Sequence, residues 1–279
     1  MFSGESTLCD NNRRFENKKA KVHVRVSCCI GDLWQKGWVI NMEKIVVVTG
    51  VASGIGKCVA ENLVKKGNIV YGADIKFSDI DSMCYRKCDV CDEKQVIEFI
   101  NEIKVKHGKI DGLINIAGIL CDKNRATVED LSVKEWDTVL KTNAYSVFFM
   151  TKYAIPLLKK SKVGSIVNIS SDQVKKVRKK SAPYAISKAA IEMLTKIVAL
   201  ELLEYKVRVN AIELASVNTD FIKNYFGKIK MKKMLQNADE EMPYGIISTD
   251  DVWRAIQYLL EENNKMTGQI LLIDSGTTL

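Results

Sequence analysis

From Met42 onward the chain alternates between two rhythms of apolar and polar residues. Short apolar runs recur at Ile45–Val48, Ile69–Ala73, Tyr85–Cys88, Gly112–Asn115, Ser165–Ile169, Arg208–Ala211 and Ile270–Ile273. Each has the length of a buried strand. Between them lie segments whose apolar residues recur at helical spacing. Val59, Leu63 and Val64 mark one such segment; Val96, Phe99, Ile100 and Ile103 mark another; Ile191, Leu194, Val198 and Leu202 mark a long one. Parallel strands need crossover connections, so this alternation predicts a doubly wound α/β fold. The expected architecture is a parallel sheet of about seven strands with helices on both faces, in a single domain spanning residues 42–279.

Residues 1–41 stand apart as an N-terminal extension. They are polar and basic, with one alternating run, Lys21–Ser27. Three readings of this extension stay open: an upstream start-site artefact, a disordered tail or an added strand. Its first residues lack the continuous apolar stretch of a secretory signal. No segment approaches the roughly 20 apolar residues of a membrane span.

Composition narrows the function classes. At 279 residues the chain is long enough to bury a sizeable core, and its 47% hydrophobic and 27% charged residues are ordinary for a globular protein. The net charge of +8 suits an anionic partner. Neither zinc-finger spacing nor a basic helix points to nucleic acid. Eight cysteines in a chain of this size without an export signal point to reduced thiols and a cytoplasmic location. Cys84, Cys88 and Cys91 have a spacing seen in iron–sulfur proteins. Here they fall on a short strand and its exit, so no metal is expected.

The first strand runs into Thr49-Gly50-Val51-Ala52-Ser53-Gly54-Ile55-Gly56, and a helix follows. Glycines allow a tight turn and close approach of backbone to a pyrophosphate. The helix N-terminus supplies free N–H groups and a positive dipole end. This placement makes the turn a dinucleotide site of the Rossmann type, with Gly50, Ser53, Gly54, Ile55 and Gly56 on it. Asp74 ends the second strand. Its carboxylate would accept hydrogen bonds from ribose hydroxyls and repel a 2′-phosphate, which favours NAD over NADP. A solvated strand-end acid is the alternative.

The spacing G-x3-G-x-G resembles that of the short-chain dehydrogenase/reductase family, in its single-domain group. The resemblance extends over about Glu43 to Leu279. It implies that Asp89 and Val90 lie at the adenine ring, although Asp89 also suits a turn. It implies a place beside the cofactor for Asn115, Ala117 and Gly118 in the segment Asn115-Ile116-Ala117-Gly118. For Asn115, bracing of the sheet and direct ligand contact both stay open.

Tyr184 and Lys188 are four residues apart at the start of the long helix, so they share one face. A free phenol has a pKa of about 10 and needs nearby positive charge to act as a base near neutral pH. Lys188 and an oxidised nicotinamide would supply it. A shift of about three units requires roughly 4 kcal/mol. The resemblance implies further roles. Ser171, 13 positions before Tyr184, would hold the substrate oxygen, with Ser170 the alternative. Asn143 would hold a water linking Lys188 to solvent. Val217 and Thr219 would contact the nicotinamide carboxamide.

Two departures from the family pattern matter. Leu214-Ala215 stands where Pro-Gly is common, and Lys175-Lys176-Val177-Arg178-Lys179-Lys180 is strongly basic. That run reads as a solvated loop, or as a rim for an anionic substrate. The expected activity is hydride transfer between NAD and a small alcohol or its carbonyl counterpart, in a homodimer or homotetramer. The alternative is a dinucleotide-binding regulatory protein with little turnover. A hydrolase is disfavoured, since His23 and His107 are the only histidines and neither is near Ser171 in sequence. No motif identifies the substrate.

Overall fold

The computed structural model describes residues 43–121, 126–219, 242–261 and 265–279. Met42, the Lys21–Ser27 run, His23, Cys9, Cys28 and Cys29 lie outside the described residues. The variable region Ser216–Met242 is described only at its two ends.

Among the described residues the strands are β1 (Ile45–Thr49), β2 (Ile69–Asp74), β3 (Cys84–Lys87), β4 (Gly112–Asn115), β5 (Ser165–Ile169), β6 (Arg208–Leu214) and β7 (Ile270–Ile273). They form one sheet in the order β3-β2-β1-β4-β5-β6-β7, with every pairing parallel. The helices are α1 (Gly54–Lys65), α2 (Glu93–His107), α3 (Val133–Leu140), α4 (Ser146–Leu158), α5 (Ala182–Glu201) and α6 (Thr249–Leu260).

The side-chain period of two on β1 divides the core. Ile45 and Val47 join Phe99 of α2, Met150 and Leu157 of α4 and Val198 of α5 on one face. Val46 and Val48 join Val59 and Leu63 of α1 and Trp253 and Ile256 of α6 on the other. A strand covered on both faces must be apolar throughout, which is why β1 reads Ile-Val-Val-Val-Thr with every residue buried. Each such side chain contributes about 1.5–3 kcal/mol by leaving water.

Local chemistry sets the helix ends. The carboxylate of Asp92 accepts from the N–H groups of Lys94 and Gln95 at the start of α2, and Gly108 ends that helix at φ 68°. Ser248 and Asp251 cap α6 reciprocally. Among the described residues no helix is long and apolar enough to cross a membrane.

β1 and β2 each run one residue further than the sequence pattern predicts, and other elements differ as well. β3 starts and stops one residue earlier than Tyr85–Cys88, as an exposed edge strand held only by β2. β6 runs three residues past Ala211, because β7 pairs with it from Ala211 to Leu214. The helical stretch from Val133 to Leu158 is divided into α3 and α4 by a π-helical turn at Lys141–Tyr145. Such turns are found mostly at functional positions.

Candidate active site

The sheet order reverses between β1 and β4, so the crossovers leave a crevice above the carboxyl ends of these strands. A cavity of about 400 Å³ lies there, running from the glycine turn to Tyr184 and Lys188. All the residues singled out from the sequence line it, except Asn115 and Asn143.

Backbone makes up one end. Gly50 has φ +77° and lies against Ala117, whose N would be 3.1 Å from an added Cβ. At Gly56 a Cβ would sit 2.0 Å from the Gly50 carbonyl oxygen, so only glycine lets α1 close on the turn. The Thr49 hydroxyl accepts from the N–H groups of Ile116 and Ala117 at 3.0 and 3.1 Å, tying the end of β1 to the end of β4. Threonine at this position was not singled out from the sequence; its place at the end of β1 was the available signal. The Asp74 carboxylate accepts from Ala52 N–H at 3.0 Å and Lys76 N–H at 2.9 Å, which fixes it at the cavity edge. Asp89 accepts from Cys91 N–H at 2.9 Å, so it caps a turn as well as lining the cavity. The Thr219 methyl would lie 3.3 Å from a Cβ on Gly54. Val217 is held by a bridge to Ile247. Leu214-Ala215 continues β6, with Ala215 N–H donating to the Ile273 carbonyl at 3.1 Å; that departure therefore extends the strand along the cavity.

Asn115 stands behind the wall. Its amide donates to Asn168 at 2.8 Å, and Asn168 donates to Thr195 at 2.9 Å, so the pair ties β4 and β5 to α5. Of the two roles left open, this geometry is the brace.

The other end is built from side chains. Lys188 is buried, with Nζ 5.7 Å from the Tyr184 ring centroid, and it donates to the Ile169 carbonyl at 2.9 Å. Ser171 lies near enough to Tyr184 to favour its phenolate, though by less than burial opposes it. Ser170 is committed elsewhere, donating to the Glu192 carboxylate at 2.6 Å. This separates the two serines that sequence left as alternatives. Asn143 is fully buried in the π-helical turn. Its carboxamide pairs with both backbone groups of Ile119, at 2.8 and 3.0 Å, and donates to Ser187 at 3.0 Å. That side chain has no spare donor for a water.

Charge at this end departs from the sequence expectation. Tyr184 is half-buried by area because its ring faces the cavity, yet enclosure of its hydroxyl pushes the phenol up to about 12. Burial also brings Lys188 down to about 8. In the protein alone, desolvation outweighs the pull of Ser171 and Arg178 on the phenol, which is raised and not lowered. Asp172 is also raised by burial, against the pull of Arg178, whose Nη2 donates to it at 3.0 Å.

The basic run is only partly a solvated loop. Lys175 faces the fully buried Glu213 at 2.8 Å, and Lys176 donates to the Thr277 carbonyl at 2.5 Å. Asp172, Gln173 and Arg178 line the cavity; sequence reasoning missed the first two and reached Arg178 only as part of a basic rim. Among the described residues no group of three His, Cys, Asp or Glu side chains is placed to hold a metal. His107 pairs with Tyr71 at 2.9 Å and does not line the cavity.

Residues 50–278 match the family model described as enoyl-(acyl carrier protein) reductase. The chain is 31% identical over 249 residues to the 3-oxoacyl-[acyl-carrier-protein] reductase FabG of Thermotoga maritima, covering 85% of this chain and 98% of that protein. It is similar in structure to a Thermoplasma acidophilum aldohexose dehydrogenase in ligand-free form, with TM-score 0.79 and 30% identity, covering 85% and 94% of the two chains. It is also similar to ElxO with NADP bound, with TM-score 0.76 and 30% identity, covering 85% and 99%.

Proposed function

The chain belongs to the short-chain dehydrogenase/reductase family and is a nicotinamide-dinucleotide-dependent oxidoreductase acting on CH–OH or carbonyl groups; from that premise we propose that Tyr184 is its acid/base and NAD its preferred cofactor. The observation that carries the proposal is the convergence of Ser171, Tyr184 and Lys188 at one end of a cavity whose other end is the glycine turn.

The glycine turn fits a dinucleotide, because Gly56 and Gly50 leave backbone where any Cβ would intrude. Gly50, Ser53, Gly54, Ile55 and Gly56 would hold the pyrophosphate, and Asp74 the adenosine ribose. Asp89 and Val90 would flank the adenine, and Ala117, Gly118, Val217 and Thr219 the nicotinamide half. Asp74 supports NAD over NADP, since its carboxylate would meet a 2′-phosphate.

When bound, the oxidised nicotinamide supplies the hydride acceptor and a positive charge. In the oxidation direction Tyr184 takes the substrate hydroxyl proton, and Ser171 holds that oxygen as charge develops on it. Lys188 stabilises the phenolate and holds the nicotinamide ribose. A phenol pushed up to about 12 cannot act as a base near neutral pH unless positive charge is added beside it. The burial of Lys188 and Tyr184 therefore ties base strength to cofactor binding.

The assembly is a homodimer or homotetramer in this reading. Its support is the exposed apolar surface of α4 and α5, at Phe148 and at Ile186, Met193, Ile197 and Leu200. Light scattering that found only a 31.4 kDa species at micromolar concentration would count against it. Residues 42–279 form the working domain, in a cytoplasmic protein with reduced thiols; removal of residues 1–41 should leave activity intact. The direct test of the chemistry is the Tyr184→Phe variant, assayed for turnover and for NAD and NADP affinity side by side.

A further inference from the structure

The reacting end of the cavity has more hydrogen-bond acceptors than hydride and proton transfer use. The proposed chemistry employs Ser171, Tyr184 and Lys188. Next to Ser171 is Asp172, which lines the cavity although it is only 3% exposed. One of its oxygens is held by Arg178 Nη2 at 3.0 Å. The other accepts from the Ser171 hydroxyl at 3.2 Å.

A serine hydroxyl has one hydrogen to give. When Ser171 turns toward the reacting oxygen, Asp172 Oδ1 gives up its donor. An acceptor left unpaired in a buried place is strongly unfavourable. Gln173 lies on the same wall, and its buried Oε1 has no hydrogen-bond partner, so that oxygen loses nothing by turning to a ligand. This wall calls for donors carried by the substrate.

An anionic substrate brings only acceptors and would meet Asp172. The one cation of the basic run that lines the cavity, Arg178, is already engaged with Asp172, and Lys175 and Lys176 are engaged with Glu213 and the Thr277 carbonyl. A purely apolar alcohol would leave Oδ1 without a donor. A neutral hydroxyl next to the reacting one meets the requirement.

We infer that the substrate is a neutral vicinal diol, in a polyol or a sugar, oriented by Asp172 through the hydroxyl beside the one that is oxidised. This inference rests on the dehydrogenase reading above. In the step itself the reacting carbon loses its hydrogen with the electron pair to the nicotinamide, and its hydroxyl proton passes to Tyr184. A C=O bond forms, and the neighbouring hydroxyl leaves unchanged.

The test uses the full chain with NAD and with NADP, and compares kcat/KM for matched substrates. Cyclohexane-1,2-diol is set against cyclohexanol, and propane-1,2-diol against propan-2-ol and lactate; glycerol and glucose separate the acyclic and ring sources. The diols should exceed the simple alcohols by about 10²-fold or more, as expected where a buried group requires a substrate hydroxyl. Asp172→Asn should cut the ratio of diol to simple alcohol at least about tenfold, whatever it does to the absolute rates. Should that variant fail to fold, as judged by its melting temperature, Gln173→Leu and the wild-type ratios carry the test. If cyclohexanol or lactate is oxidised as well as the matching diol, the substrate class is wrong while the dehydrogenase reading stands. If NAD binds but none of these alcohols is oxidised and none of their carbonyl counterparts reduced, the diol assignment is overturned, and the dehydrogenase reading is judged separately by the Tyr184→Phe comparison on whatever substrate is turned over.

Discussion

At the Gly50–Gly56 end the cavity wall is backbone; at the Ser171–Lys188 end it is side chain. The first end works by leaving atoms out. A glycine turn, a free helix N-terminus and one fixed carboxylate, Asp74, make a surface that binds without changing state. The second end works by placing ionisable groups where water is scarce. Tyr184 is pushed up, Lys188 is brought down and Asp172 is raised, all chiefly by burial. Binding strength and chemical reactivity are therefore built by different means in one cavity, and substitutions should separate them.

The largest separation is expected from Tyr184→Phe. It keeps the ring and removes the proton-carrying group. Turnover should fall by about 10²–10⁴-fold while NAD affinity, read by fluorescence titration, stays within about twofold. Near wild-type turnover would mean another residue is the base. In the wild type, oxidation should rise with pH as Tyr184 ionises.

Lys188 gives a smaller effect with a clear pH sign. Its folded value near 8 lies below the ordinary 10.5. The buried charge therefore opposes folding fully below about pH 8, and the opposition fades as pH rises toward 10.5. Lys188→Met should raise the stability of the cofactor-free protein near pH 7, by at most about 3 kcal/mol. The gain should shrink between pH 8 and 10.5, while turnover is lost. Urea melts of both proteins across this range check it; a gain independent of pH would show that the charge is not the cause.

Gly56→Ala probes the backbone end. A Cβ 2.0 Å from the Gly50 carbonyl forces α1 and the turn apart. We expect a loss of about 1–3 kcal/mol in stability and weaker dinucleotide binding, measured by melting and titration. The smallest effect should come from Asp74→Ala. It should shift the NAD-to-NADP affinity ratio toward NADP by about tenfold, which is about 1.4 kcal/mol. Tighter binding of NADP than NAD by the unaltered chain would refute the assignment of Asp74.

The two ends also differ in how well the sequence displays them. Backbone devices need particular residues at particular spacings, so Gly50, Gly54, Gly56 and Asp74 stand out against the strand–helix pattern. The strands β4, β5 and β7 are equally plain, because an apolar run of that length has few alternatives. The reacting end was legible only through Tyr184, Lys188 and Ser171, and only with a family pattern beside them. Asp172 and Gln173 gave no signal, since a carboxylate and an amide in a polar loop look solvated until the fold encloses them, and Arg178 showed only as one charge of a basic run. The same holds for Glu213, buried on β6 against a lysine from the basic run. The strongly raised Tyr184 and lowered Lys188 follow from enclosure, which no spacing encodes.

The π-helical turn at Lys141–Tyr145 has a consequence in angular phase. An α-helix advances about 100° per residue. The wide turn takes up one residue more than an α-helix would, so α3 and α4 keep nearly the phase of one continuous helix, and it directs Asn143 inward to the Ile119 backbone. Deleting any one residue between 141 and 145 would close the turn to ordinary helix. The flanks would keep nearly the same phase, and what would be lost is the wide turn that aims Asn143. Val139 and the stripe Val147, Met150, Ala154 and Leu157 would stay against the interior. The extra residue thus serves the aim of one side chain, Asn143, rather than the packing of the two helices.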